Sequence, residues 1–413
     1  MDALKPHKAS FLIPSLYSAS IAIANMGSTL KIIALGGGTQ LVGLSYLLYN
    51  LGFTISSWTL PYALRGSSRK LTLCACLLAI ALVFLAISFA PSAWLVVALQ
   101  LAYGFVASLT SSVQTSIFVE LVRCKHRGVY TMYLFSGVGF ALGGIVGGAI
   151  RRFTTLSNTI LTATAFALAS AFLATIILPP TLGVVEASRV VAERGMLAIV
   201  VEKARLLSTL FVGPRMCLPR AIRRALARTI PLFLLASGTV YVAIMMFFSA
   251  FPVYLRRVAK VPEALMLVLP AVSGSVSTSI YAAMSRREIE YTKLWRAHII
   301  ALLARSILFS SPLLIGRALG SPLVVTAFYA LIGLTWAFIG SVQSNVMVHL
   351  AEPGRREERL GHLNAAISMG SIIGSLAASS LSSLGYTAIF VSASIVIAIS
   401  ALLNVIALRT VAR

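Results

Sequence analysis

Acid is what this sequence has least of. Only 11 of its 413 residues are Asp or Glu, against 34 Lys and Arg. The acids are Asp2, Glu120, Glu186, Glu193, Glu202, Glu263, Glu288, Glu290, Glu352, Glu357 and Glu358, and none lies deep inside an apolar run. Proton relays across a membrane rest on intramembrane Asp, Glu or His. A carboxylate relay is therefore not expected. Histidine does not fill the gap, because His7, His126, His298, His349 and His362 all fall at or near the ends of apolar runs. Cysteine is scarce too. Cys74, Cys76, Cys124 and Cys217 show no metal-ligand spacing and imply no disulfide framework. With no histidine–carboxylate cluster and no nucleophile elbow, neither an enzyme nor a metal or cofactor site is expected.

What fills the chain instead is apolar: 58% hydrophobic residues, with a mean hydropathy of +0.93. Charge-free runs cover 9–30, 32–64, 71–119, 128–150, 153–185, 229–255, 264–285, 318–351 and 360–408. About 20 apolar residues in a helix cross a hydrocarbon core of about 30 Å. The two longest runs, 71–119 and 360–408, are broken midway by Ala90-Pro91-Ser92 and by Ser382-Ser383-Leu384-Gly385, so each holds two crossings. The expected fold is all-α and membrane-integral, with twelve transmembrane helices. They fall at about 10–33, 40–63, 71–89, 93–121, 128–150, 155–178, 229–255, 264–284, 296–315, 321–349, 360–381 and 386–408.

The net charge of +23 marks topology rather than nucleic-acid binding. With an inward N-terminus, 26 of the 34 Lys and Arg fall on one side of the twelve spans and seven on the other, with Arg305 inside a span. That asymmetry is the positive-inside pattern, and it predicts both termini in the cytoplasm of a multi-pass cell-membrane protein. The partners expected are the lipid bilayer and a small-molecule solute, with no nucleic acid and a monomeric state. The N-terminal run resembles a signal peptide, but its 22 residues exceed a signal core of about 7–15. A retained first helix is expected.

The chain also repeats itself. Ser112-Val113-Gln114 recurs as Ser341-Val342-Gln343, an offset of 229, and at that offset Gly104 meets Gly333, Leu121 meets Leu350 and Arg127 meets Arg356. At offset 231, Gly139 meets Gly370 and Gly143 meets Gly374. A fixed offset of half the chain means a duplicated unit. Residues 1–180 and 229–413 are then two six-helix bundles, joined by a basic linker at 181–228 that is expected on the inner membrane face.

Six spans, a linker and six spans resemble the major facilitator superfamily of secondary transporters over essentially the whole chain. The local motifs are partial. In the stretch matching the family's loop between spans 2 and 3, Pro61 to Lys70, only the basic pair Arg69 and Lys70 survives, and Arg65 stands where the family has an Asp. Gln100 stands where proton-coupled relatives carry an Arg four residues before Gly104. Arg127-Gly128 followed by Gly139, Gly143, Gly144, Gly147 and Gly148 resembles the glycine pattern of the antiporter branch, with Gly144 replacing its proline. Small residues at that spacing also serve close helix packing.

The resemblance implies that spans 1, 4, 7 and 10 line the path, with the site near the bilayer midplane between the repeats. Helical rise places Asn25, Ser108, Ser111, Ser237, Tyr241 and Trp336 at that depth. An aromatic pair with a few amides and hydroxyls suits an uncharged or amphipathic ligand. Gln114 and Gln343 lie deeper toward the inner face, where buried amides bond neighbouring helices. Arg305, about 13 Å past Arg296, is a further coupling or gating candidate together with Arg69 and Lys70. The function expected is alternating-access transport, leaning to efflux. A transport-inactive sensor or scaffold is the alternative that the eroded loop leaves open.

Overall fold

Each expected crossing is a single helix in the computed structural model, which describes residues 8–63, 68–121, 125–178, 229–285, 291–350 and 356–411. The first half holds α1 (Leu12–Ala34), α2 (Thr39–Ala63), α3 (Arg69–Phe89), α4 (Ala93–Leu121), α5 (Lys125–Phe153) and α6 (Leu156–Ile177). The second holds α7 (Thr229–Arg257), α8 (Glu263–Ser285), α9 (Tyr291–Ile315), α10 (Pro322–Leu350), α11 (Arg356–Leu381) and α12 (Tyr386–Val411). The linker 181–228 lies outside the described residues.

The helices run past the apolar stretches at their basic ends, α5 from Lys125 and α9 from Tyr291. A backbone in lipid must satisfy its own hydrogen bonds, and long cationic side chains can reach the headgroups from the last turn. Pro14 does not interrupt α1. It is the third helical residue, where a backbone N–H has no intrahelical partner to lose. Lys31 lies in the last turn of α1. Its Nζ donates to the Ser88 carbonyl at 3.2 Å and to the Ser157 hydroxyl at 3.0 Å, tying α1 to the ends of α3 and α6.

The sequence repeat becomes a repeat of helix contacts. A Cβ on Gly104 would run into the Tyr49 carbonyl of α2, and one on Gly333 into the Ser273 carbonyl of α8. Likewise Gly139 and Gly143 of α5 sit on the Ser15 and Ala19 carbonyls of α1, while Gly370 and Gly374 of α11 sit on the Gly238 and Val242 carbonyls of α7. Without a hydrophobic driving force between helices, dispersion at such close approach holds a bundle together. Serines add a second symmetric element: Ser170 of α6 donates to the Ile13 carbonyl at 3.0 Å, and Ser400 of α12 to the Ala236 carbonyl at 2.8 Å. The second half has in addition a phenylalanine core around Phe247, stacked on Phe309 at 4.2 Å and flanked by Phe251, Phe328 and Phe390. Large apolar side chains such as Leu82, Phe172, Ile307 and Leu402 are exposed on α3, α6, α9 and α12, as a lipid-facing surface requires.

Between the halves, α5 packs along α8 and α2 along α11. Gly144 and Gly148 of α5 face Ala271 and Val268 of α8, and Gly43 of α2 faces Ser375 and Ser379 of α11. At the end where α1 joins α2, polar contacts close the seam. Arg151 Nη2 lies 2.7 Å from a Glu263 oxygen, Arg257 donates to the Gly37 carbonyl at 2.9 Å, and Ser379 donates to the Gln40 carbonyl at 3.4 Å. No comparable packing joins α4 to α10 among the described residues. The chain is thus sealed at the α1–α2 end.

Candidate substrate site

Of the residues placed at midplane depth, Tyr241 and Trp336 meet. Tyr241 comes from near the middle of α7 and Trp336 from near the middle of α10. Their rings stand edge to face, with centroids 6.1 Å apart at 74°, and both are half-buried. Aromatic pairs favour this geometry because the positive ring edge meets the negative ring face. The other half contributes Tyr133 of α5, which is 46% exposed. Tyr133 also faces Tyr281 of α8 at 6.2 Å between centroids. Position alone gave no reason to single out Tyr133 or Tyr281, since α5 and α8 are not among the helices expected to line the path.

Gly340 packs beside this group. A Cβ there would be in ordinary van der Waals contact, 3.6 Å from the Tyr281 hydroxyl and 3.8 Å from Trp336 Nε1.

Asn25 is exposed between buried neighbours Ala24 and Met26. A polar side chain exposed in mid-span faces a water-filled cavity rather than lipid. Its Oδ1 accepts a hydrogen bond from Tyr103 of α4 at 3.1 Å. Tyr103 is itself held between Tyr49 and Phe84, each with centroids 5.0 Å away. Ser111 of α4 is also exposed. At the repeat offset it corresponds to Gly340 of α10.

Other candidates lie elsewhere. Ser108 is buried and shares a 3.0 Å hydrogen bond with Ser57 of α2, which makes it a helix-to-helix contact. Ser237 is fully buried, and its hydroxyl has no partner among the described residues. Gln114 and Gln343 are buried as expected. However, the Gln114 amide nitrogen and both Gln343 side-chain ends make no bond to a neighbouring helix among the described residues. Arg69 and Lys70 open α3, and the Arg69 side chain lies outside the described set.

Arg305 is fully buried. One nitrogen, Nη2, donates to the Ile332 carbonyl of α10 at 2.8 Å, and the guanidinium lies 5.7 Å from the Phe309 ring and 5.9 Å from the Trp336 ring. Arg305 therefore joins the aromatic pair, although α9 is not one of the helices expected to line the path. His298, two turns earlier on α9, is also fully buried, with Nδ1 3.2 Å from the Phe338 carbonyl.

Two six-helix bundles built on one plan have counterparts among known proteins. The sequence profile of the Major Facilitator Superfamily matches residues 11–354. The chain belongs to that superfamily. No curated protein matches the sequence. The fold is similar to that of the human organic anion transporter MFSD10, with a TM-score of 0.62 at 17% identity, covering 98% of this chain and 100% of the other. The nucleoside transporter NupG gives 0.65 at 13% identity, with 98% and 99% covered. A POT-family peptide transporter gives 0.67 at 13% identity, with 97% and 94% covered. This chain is accordingly a multi-pass membrane protein with the fold of a secondary transporter. As a superfamily member it has Tyr241 and Trp336 on two of the four helices that the resemblance assigns to the substrate path.

Proposed function

We propose that this superfamily member moves a small amphipathic solute by alternating access, and that it exports it across the cell membrane. The observation that carries the reading is the Tyr241–Trp336 pair, half-buried and supplied by α7 and α10. Aromatic rings with few fixed polar groups suit a ligand that is mostly apolar. Export draws support from α5. Its glycines lie between α1 and α8, where one half must slide on the other, and they resemble the antiporter pattern. In this reading the sealed α1–α2 end faces outward. The termini and the linker face the cytoplasm, where basic residues gather, and one chain is the working unit.

Flux in liposomes tests this. Purified protein is reconstituted, and a panel of amphipathic cations, organic acids, sugars and amino acids is supplied under an imposed gradient. The expected result is protein-dependent flux of an amphipathic compound, slowed about tenfold by Trp336→Ala, as removal of an aromatic anchor does. If no compound moves in either direction while the protein stays folded, a transport-inactive sensor or scaffold becomes the better reading.

A further inference from the structure

Arg305 carries a charge where a charge does little for the fold. Its guanidinium is completely buried, and only Nη2 has a hydrogen-bond acceptor, while Nε and Nη1 have none among the described residues. No carboxylate answers the charge on α9 itself or on α10 and α12, the helices packed against it, because none of the three contains Asp or Glu. A buried ion so incompletely satisfied is worse for stability than an apolar side chain of similar length. Nor does its acceptor depend on it. The Ile332 carbonyl also takes the Thr335 hydroxyl at 3.0 Å, so loss of Arg305 would leave no orphaned oxygen behind.

Its contacts converge on one residue. Ile332 stands four positions before Trp336, so its carbonyl belongs to the helical turn that carries Trp336. The same guanidinium lies 5.9 Å from the Trp336 ring. An indole face attracts a cation through its quadrupole, most strongly where water is excluded. The arginine is in turn fixed from its own helix. Phe309, one turn on, lies 5.7 Å from the guanidinium and is stacked on Phe247 of α7 at 4.2 Å. Trp336 thus has one partner on α9, Arg305, and another on α7, Tyr241, at 6.1 Å. A half-buried indole is free to change rotamer unless such contacts select one.

We propose that Arg305 is a positioning residue: from a helix outside the path it holds Trp336 in the rotamer that meets Tyr241, and it does so without stabilising the fold. It touches no solute. This role deepens the proposed transport function and rests on Trp336 lining the path.

Fluorine NMR of the full chain, labelled with 5-fluorotryptophan and purified in detergent, tests it. The four tryptophans are Trp58, Trp94, Trp295 and Trp336, and Trp336→Phe identifies the line of interest. In the parent that line is expected to be single. In Arg305→Met, which removes the charge and keeps an unbranched side chain, it should broaden or split, while the lines of Trp94 and Trp295 stay in place. Trp295 is the stricter control, because it lies on α9 and is as fully buried as Arg305. Arg305→Lys keeps a cation near the ring and should give an intermediate line. Arg305→Met should also unfold at a temperature no lower than the parent's. For a compound that the parent moves in liposomes, it should raise KM several-fold with kcat little changed. A Trp336 line that stays single and sharp in Arg305→Met overturns the proposal. So does a displacement of all four lines together, which would mean a general repacking. Failure of Arg305→Met to fold, or a clear loss of unfolding temperature, makes Arg305 a stabilising element and overturns it as well. The spectra decide without any solute: if they behave as expected while no compound is transported, Arg305 still positions Trp336 and the transporter reading alone falls.

Discussion

Arg151 and Glu263 meet across the seam between the two halves. Arg151 Nη2 and Nε donate to one Glu263 oxygen at 2.7 and 3.0 Å, and Arg256 holds the other oxygen at 2.9 Å. Arg151 lies in the last turn of α5 and Glu263 begins α8, so the contact joins the two halves at this end. A partly exposed ion pair is worth on the order of 1 kcal/mol, or about fivefold in a two-state population. Glu263→Gln should therefore favour the form open at the α1–α2 end by about that factor. Ser375 reports the opening, because it is fully buried beneath Gly43 in the closed seam. In a background with Cys74, Cys76, Cys124 and Cys217 replaced by alanine, Ser375→Cys should react several-fold faster with a water-soluble maleimide once Glu263→Gln is added. High salt should act in the same direction, since it screens exposed charges. An unchanged rate would mean that the seam is held by the packing of α5 on α8 and α2 on α11 alone.

Two glycines of α10, seven residues apart, should behave oppositely when changed to alanine. A Cβ at Gly333 would collide with the backbone of Ser273, which has no rotamer to yield. Overpacking of that kind costs about 1–3 kcal/mol, and Gly333→Ala should lower the unfolding temperature clearly. At Gly340 the nearest atoms to a new Cβ are 3.6 Å or more away, and they belong to side chains. Gly340→Ala should leave stability nearly unchanged, because the added methyl makes only ordinary van der Waals contacts. Thermal unfolding of both variants measures the difference.

The position of each candidate along its helix was legible in the sequence, and its direction around the helix was not. Long apolar runs fix where a helix enters and leaves the bilayer, so Tyr241 and Trp336 could be placed at one level and were found together. Rotation about the helix axis leaves no such trace, because a span apolar on every side gives no face to orient by. Ser108 and Ser111 show the consequence. Both stand at midplane depth, yet one is buried against Ser57 and the other is exposed. Arg305 was visible as an oddity, but its acceptor is the backbone carbonyl of Ile332, and a carbonyl has no residue letter. Ser170 and Ser400 were readable as a pair at an offset of 230, one residue from the offset of the other repeats, but serine is too common in this chain for that spacing to stand out.

The Tyr103–Asn25 bond makes a prediction about orientation rather than stability. Tyr103 is fixed by Tyr49 and Phe84, so Tyr103→Phe should keep the ring in place and remove only the donor to Asn25. A single neutral hydrogen bond is worth about 1 kcal/mol, and the Asn25 amide remains open to water. The unfolding temperature should shift little. Transport should show a raised KM with kcat close to that of the parent, because Asn25 is no longer held in one rotamer facing the interior. A matching fall in kcat with KM unchanged would place the hydroxyl in the conformational cycle instead.

Ser170 and Ser400 allow the internal symmetry to be tested energetically. Each hydroxyl crosses to the first-turn or second-turn carbonyl of the helix opening its half, Ser170 to Ile13 at 3.0 Å and Ser400 to Ala236 at 2.8 Å. Interhelical bonds of this kind contribute about 0.6 kcal/mol on average in a membrane bundle and rarely more than about 1.7. Ser170→Ala and Ser400→Ala should therefore each cost about the same small amount. The bonds lie in different halves and share no partner, so the double variant should show the sum of the two losses. Calorimetry or denaturant unfolding of the four proteins measures this directly. Additive losses in one cooperative transition would mean that the halves unfold together. Two separated transitions, each sensitive to only one serine, would mean that each six-helix bundle is stable by itself and that the α5–α8 and α2–α11 seams contribute little to holding the chain folded.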